Sequence, residues 1–476
     1  MTDAFGPGFR TVEREYRDHE PRVEGSIPEW LSGVLIRNGP GRFEVGGERL
    51  EHWFDGLAML RRYAFADGEV RYTNRYLRTE AYEDALAGRA SGQFATDTRG
   101  WRRFVSWVRN RGPQPTDNTN VHVARLGGEY VALTEAPRRV AFDPQTLETR
   151  GEFSFEDDIT EHMAAAHLAR DPHRGETVGF ATQFGLDPQI NVYRVPDGQR
   201  RRRPVASIDA RGPGYIHDVS LTRDHVVLVE PPLDIRVWRA FLPWTEGVFD
   251  LMEWTPERGT RVVVLDRESG AVVRDVTVDP VFVFHHANAY DDAGAVVLDA
   301  VAFPDADIVG AMALDELDVV GFPDVPDGRL TRYRIDLAGE ASAGGGVDSE
   351  RLYAGGTELP RVPRQFRGRR HRYIYGQSTD RQGANGLVKI DCERGETREW
   401  LAQSVFVEEP IPIRRPDADT EDEGVVLATA LDVDREQSVL LVFDAATLDE
   451  RARVFLPHPE PFGFHGRFFR DAVDTS

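Results

Sequence analysis

The chain holds one cysteine, Cys392, and one lysine, Lys389, and it has no run near the ~18 consecutive apolar residues that a membrane-spanning helix needs. A single cysteine excludes an internal disulfide and makes a reducing cytoplasm the expected compartment. The opening stretch MTDAFGPGFRTVEREYRDHE has no apolar core, so no signal peptide is expected there. These absences predict a soluble protein that at most lies peripherally on the inner face of a membrane. Positive charge is also short. Lys+Arg number 58 against 80 Asp+Glu, a formal net charge of -22. No basic block could neutralise a phosphate backbone, which excludes nucleic acid as a partner. The cations are almost all arginine; an acidic, lysine-poor surface that stays hydrated at high salt suits a salt-loving (halophilic) host, and a GC-rich genome would favour Arg over Lys as well.

Strand patterns fill the chain instead. Residues 1–30 read as polar and irregular, and GVLIRNGPGRF (33–43) as a strand stopped by a Gly-Pro turn. From there one unit recurs: an alternating apolar strand, a turn built on Asp with Gly or Thr, and a second strand. It is legible at 138–155, 261–278, 329–339, 387–400 and 439–456, each a β-hairpin by its turn chemistry. Such hairpins, with few helical patterns between them, predict an all-β fold, a seven-bladed propeller of about 65 residues per blade forming a single domain over 1–476.

Two segments break the pattern. GWRRFVSWVRNRG (100–112) spaces Trp101, Phe104, Val105 and Val108 as a short amphipathic, basic helix, and WRAFLPWTEGVFDLMEW (238–254) concentrates aromatics in a loop. Both fit a lid over the core or a surface that dips into lipid. On the second reading, Trp101, Phe104, Trp107, Phe241, Leu242, Trp244 and Phe249 are the expected contacts at a membrane-facing tunnel mouth.

The stretch VFVFHHANAYDD (281–292) carries a β-rich apolar run into His285 and His286, as a strand expected to end there. Side chains alternate along a strand, so only one of the two can face a given centre. Three further histidines stand in similar settings: His167 in EHMAAAHLARDP, His217 in GPGYIHDVSL and His465 in PFGFHGRFF. Separated by about 50, 68 and 180 residues, they share no helix turn or finger loop and can converge only in a closed, radially repeating fold. Four neutral imidazoles are unusual for zinc. They suit an octahedral iron(II), with two positions left for dioxygen and for solvent or substrate. Neutral ligands leave the dication unbalanced, which calls for carboxylates that accept the outer ring N–H of each ligand. Glu135, Glu358 and Glu409 all stand beside apolar strand residues, where an unpartnered carboxylate would be costly.

These residues resemble the carotenoid cleavage oxygenase family from about residue 30 to residue 470. The likeness rests on GVLIRNGPGRF, HWFDGLAMLRRYAFADGEVRYTNRYLRTEAY (52–82), DNTNVHV (117–123), AFDPQTLET (141–149), the IHD and VEPP pair around His217, FHHANAY, EDEGVVL (421–427) and GFHGRFF. The HWFDG block and FHHANAY point to the animal-type branch of β-carotene 15,15'-oxygenases and retinoid isomerohydrolases. The resemblance implies a seven-bladed propeller with iron(II) on its axis, a helix and loop dome over one face, and a hydrophobic tunnel that admits a polyene. It implies ligand roles for His167, His217, His285 rather than His286, and His465, with Glu135, Glu358 and Glu409 behind them. The implied activity is cleavage of a conjugated double bond of a carotenoid with O2 as co-substrate, centrally in β-carotene to give retinal. Off-centre or apocarotenoid cleavage, retinoid isomerisation and a non-catalytic binding propeller are the rivals. Leu57, Ala58, Leu168 and Pro412 depart from what relatives usually carry. Thr134 stands where stilbene-cleaving relatives place a lysine, which counts against a stilbene substrate.

Overall fold

The computed structural model describes residues 6–89, 115–236, 238–239, 242, 249–320, 325–338, 346–380, 385–470 and 472, without the side chains of 318–320. Seven antiparallel sheets of four to six strands are the blades of a β-propeller. Four of the five recurrent sequence units are the outer hairpin of a blade: Val140–Phe142 with Thr149–Glu152, Thr260–Asp266 with Val272–Val278, Gly386–Asp391 with Glu396–Leu401, and Gln437–Asp444 with Glu450–Phe455. The fifth, 329–339, is corrected to a single strand, Arg329–Asp336, whose partner Val347–Arg351 lies further on. The Asp explains the repeat. One carboxylate oxygen of Asp143, Asp266, Asp391 and Asp444 accepts the N–H groups two and three residues on, at 2.7–3.1 Å. That closure forces the fourth residue on into the left-handed region: Leu147 (φ 59°), Gly270 (72°), Gly395 (68°) and Leu448 (59°). Two of the four are not glycine, so the aspartate and not the glycine is the constant of the turn.

Both chain ends lock the ring. Gly466–Phe469 pairs with Gly33–Arg42 in the first blade, and Arg22–Gly25 pairs with Glu450–Phe455 in the seventh. The expectation of an irregular 1–30 is thereby corrected: Tyr16–His19 and Arg22–Gly25 are polar edge strands whose order comes from their distant partners. Nor does the Gly-Pro pair stop the strand at 33–42, which stays paired with Leu57–Ala66 and shifts register only between Pro40 and Arg42. The closing strand covers Val34–Arg37 alone, so the N–H that Pro40 lacks is not needed by a second neighbour.

The apolar core lies between blades. One cluster joins Tyr63 and Tyr72 of the first blade to Leu427 and Val442 of the seventh. Each fully buried aliphatic or aromatic side chain there contributes about 1.5–3 kcal/mol. Stability therefore resides in the blade faces, which leaves the axis free for polar chemistry.

Candidate metal centre on the propeller axis

The innermost strands of four blades are irregular, and the irregularities coincide with the residues singled out from sequence. In the third blade the inner strand divides into Met163–Ala164 and Ala169–Asp171, with His167 in the gap. In the seventh it divides into Val405–Val407 and Ile411–Arg414 around Glu409. In the fifth, Phe282–Asp292 runs through both histidines instead of ending at them, but its register slips between Val283 and His286 and again between His286 and Asn288. In the sixth the slip falls between Glu358 and Arg361, with Leu359 at φ 52°. A bulge re-aims a side chain without unseating its strand. Alternation then separates the histidine pair: His285 turns to the axis, and His286 Nδ1 meets Ser220 Oγ at 3.0 Å.

His167, His217, His285 and His465 converge, with one ring nitrogen of each within 4.8 Å of the others. Their ring centroids lie 4.3–5.1 Å apart in five pairings, and the Nε2 atoms of His285 and His465 are 3.2 Å apart. That matches the ~3 Å between two ligands held at right angles about 2.1 Å from one ion. Three of the rings are oriented from behind. Nδ1 of His217 meets Glu135 at 2.7 Å, that of His285 meets Glu358 at 2.7 Å, and that of His465 meets Glu409 at 3.0 Å. A ring that donates from Nδ1 presents the Nε2 lone pair to the centre. The fourth ring carries the clearest mark: His167 Nε2 is buried with no hydrogen-bond partner among the described residues. Leaving such an atom unsatisfied costs about 1–3 kcal/mol, and a metal ion would complete it. The donor set fits a divalent ion.

Electrostatics agree for most of the ring. Burial, and then the neighbouring imidazoles, push His167 well below its ordinary value. Burial also pushes His465 down to about 3, against the pull of Glu409. For His285, burial acts downward too, but the charge and hydrogen bond of Glu358 outweigh it and the net shift is upward. Burial alone would raise Glu409; Arg361, His465 and Arg37 hold it well below the usual carboxylate range.

Several participants were not anticipated. Tyr215 donates to Glu135 Oε1 at 2.8 Å; it stands two residues before His217, a spacing that the sequence discloses. Arg361 donates to Glu409 from Nε at 2.7 Å, and Gly466 N–H donates at 2.8 Å to its other oxygen, while Arg37 lies 3.7 Å away. His122, within DNTNVHV, has its ring 5.4 Å from that of His167 and 5.3 Å from that of His465. Its Nδ1 accepts the Val123 N–H at 2.7 Å, so the neutral ring keeps its proton on Nε2.

Chain direction gives the ring two unlike sides. Residues before three of the four histidines are aromatic: Tyr215 before His217, Phe282 and Phe284 before His285, Phe464 before His465. Phe284 packs 4.9 Å from His217, and Phe54 packs 5.5 Å from Phe464. Residues after the histidines line two cavities rich in arginine.

The proposed lipid contacts mostly escape description: Trp101, Phe104, Trp107, Phe241 and Trp244 lie outside the described residues. Leu242 is half-buried. Phe249 packs against the aromatic side, its ring 6.0 Å from His52, which is the lid reading of that segment. No helix among the described residues is long and apolar enough to cross a membrane.

Asp299, His371 and Cys392 form a second trio with metal-ligand chemistry. Arg332 already occupies both oxygens of Asp299, at 2.8 and 2.7 Å, and burial followed by the Asp299 charge pushes the Cys392 thiol upward, away from the thiolate a metal needs. This trio fits a buried structural ion pair.

The family described as retinal pigment epithelial membrane protein matches residues 9–470. The mitochondrial carotenoid-cleaving dioxygenase of Mustela putorius furo is 29% identical over 522 residues, covering 98% of this chain and 96% of that protein. The β,β-carotene 15,15'-dioxygenase of Mus musculus is 27% identical over 511 residues, covering 95% of this chain and 89% of that one. Among solved structures, the cobalt-substituted apocarotenoid oxygenase of Synechocystis superposes with a TM-score of 0.86 at 26% identity, over 98% of each chain.

Proposed function

The chain belongs to the retinal pigment epithelial membrane protein (RPE65) family of carotenoid oxygenases, and from that premise we propose that it is an iron(II)-dependent dioxygenase cleaving the central 15,15' double bond of β-carotene to retinal. Its place among the carotenoid cleavage dioxygenases makes it an oxygenase enzyme; the metal, the substrate and the bond are our reading. The observation that carries it is the cluster of four imidazoles with one orphaned nitrogen.

His167, His217, His285 and His465 would hold the ion. Bound there, iron(II) would supply the activation of dioxygen. Glu135, Glu358 and Glu409 fix which ring nitrogen carries the proton and keep each ring aimed. Tyr215 holds Glu135 in turn; burial and the Glu135 charge push its phenol well upward, so it stays a donor. Phe54, Phe282, Phe284 and Phe464 exclude water from one side of the ring and offer the apolar surface a polyene requires. No residue is assigned as general acid or base.

Central cleavage is favoured by the HWFDG and FHHANAY blocks and by the mouse relative's name. The Synechocystis neighbour is named for apocarotenoids, so that substrate class is the second reading. Aerobic incubation of the iron-loaded protein with detergent-solubilised β-carotene, followed by product chromatography, separates them. Retinal as the sole aldehyde is expected. Unequal carbonyl products, or turnover of apocarotenoids alone, would defeat central cleavage. Peripheral membrane contact belongs to the same reading and rests on Trp238, an indole 60% exposed, while Phe249, Leu251, Met252 and Trp254 further along pack against the core.

A further inference from the structure

The side of the axis away from the aromatics holds a cavity of about 80 Å³ whose charged wall is entirely cationic: Arg170, Arg361, Arg364, Arg367 and Arg467, with His122 beside them. In a chain of net charge -22, a carboxylate-free pocket is the opposite of the surface average. Arg361 is answered by Glu409, and Arg170 by Asp197 at 2.6 Å. Arg367 and Arg467 make no ion pair and no side-chain hydrogen bond among the described residues. The acid facing Arg367, Asp218, already accepts the N–H groups of Val219 and His286 at 2.7 and 2.9 Å. Burial, and then the charge of Arg361, push the Arg367 guanidinium down to about 10. The guanidiniums of Arg367 and Arg467, both without an ion pair among the described residues, share this wall with three further arginines and repel them and each other, and a bound anion is the direct relief.

We infer that this cavity binds a small inorganic oxyanion of the phosphate type. Guanidinium forks match the paired oxygens of an oxyanion better than a spherical halide. At ~10–15 Å³ per water, the space takes several waters or one tetrahedral anion, and it is far below the several hundred Å³ of a cofactor pocket. A second cavity, of about 110 Å³, shares His122, Arg170, Arg361 and Arg367 with it and reaches His167 on one side and the exposed Arg174 and Arg223 on the other. The anion site therefore adjoins a cavity that reaches both the histidine ring and the surface. The site stands whether or not the metal reading does.

Isothermal titration of sodium phosphate into the full-length, iron-loaded protein, at fixed sodium concentration and against sodium chloride, tests it. Saturable phosphate binding is expected, weakened at least about tenfold in the double variant Arg367→Gln, Arg467→Gln, because two charged hydrogen-bond donors are lost. Should that variant fail to fold, Arg367→Lys, Arg467→Lys keeps the charge and loses the forks, and it too must bind more weakly than wild type. Absence of saturable binding to wild type overturns the inference. Undiminished binding in the variants also overturns it, since phosphate would then sit on the metal or elsewhere. Equal saturation by chloride overturns the oxyanion class.

Discussion

The two sides of the histidine ring are built from the same inner strands, yet one is aromatic and the other arginine-lined. Phe282 and Phe284 precede His285 on the strand whose next residues, His286 to Asn288, line the second, arginine-rich cavity. Tyr215 precedes His217, and Asp218 to Thr222 follow it into the same cavity. Parallel inner strands convert position in sequence into height on the axis, so a blade repeat that carries no chemistry of its own sorts apolar from charged residues at the ring. The ring is thereby served by a dry side suited to a polyene and a wet side suited to small polar species.

The largest effects should come from the carboxylates that aim the ring. Glu358→Gln and Glu409→Gln should each weaken iron binding about 10- to 100-fold, read by metal titration. They should differ in stability. Glu409→Gln also takes the carboxylate from Arg361 and leaves Arg37, which is 1% exposed, with Glu408 alone, a loss of about 3–5 kcal/mol in denaturant melts that Glu358→Gln escapes.

On the aromatic side, Phe284→Ala should cost about 3–5 kcal/mol of stability while leaving iron content unchanged and raising KM for the carotenoid. Lost iron in that variant would mean that the two sides are not separable.

Acid should break the aromatic side through His52. Its ring is buried, with Nε2 2.9 Å from the Val309 carbonyl, and burial pushes it down to about 4 despite that bond. The unfolded chain takes the proton first, near pH 6.5. His52 therefore contributes fully above about pH 6.5, and its contribution falls by up to about 3 kcal/mol as pH drops from there to about 4. His52→Gln should flatten the melting temperature across that window.

The smallest effect is expected outside the ring. Trp238→Ser should reduce flotation with anionic vesicles severalfold and leave cleavage of detergent-solubilised substrate intact. Equal flotation would remove this indole from the membrane account.

What was legible in the sequence is what local chemistry dictates. Asp143, Asp266, Asp391 and Asp444 announce their hairpins because a carboxylate closes its own turn within three residues. The four histidines stood out because each follows or faces a strong apolar run, and alternation left His285 or His286 open until the family resemblance chose. What was illegible depends on closure. Arg22–Gly25 looks irregular because its order comes from residues more than 400 positions away. Gly39–Pro40 reads as a stop only if a strand is assumed to need two neighbours at every residue. The gaps at His167 and Glu409 look like continuous strand or loop until partner register is known. Arg361, Arg364 and Arg367 are evenly spaced in the sequence, but Arg170 and Arg467 join them only from two other blades.

The central claim is that His285, and not its neighbour, holds iron for cleavage. Iron content and product formation in His285→Ala and His286→Ala, prepared side by side, test it most directly. The account predicts that His286→Ala keeps a full complement of iron and cleaves, while His285→Ala loses both. Iron retained in His285→Ala, or lost from His286→Ala alone, would contradict it.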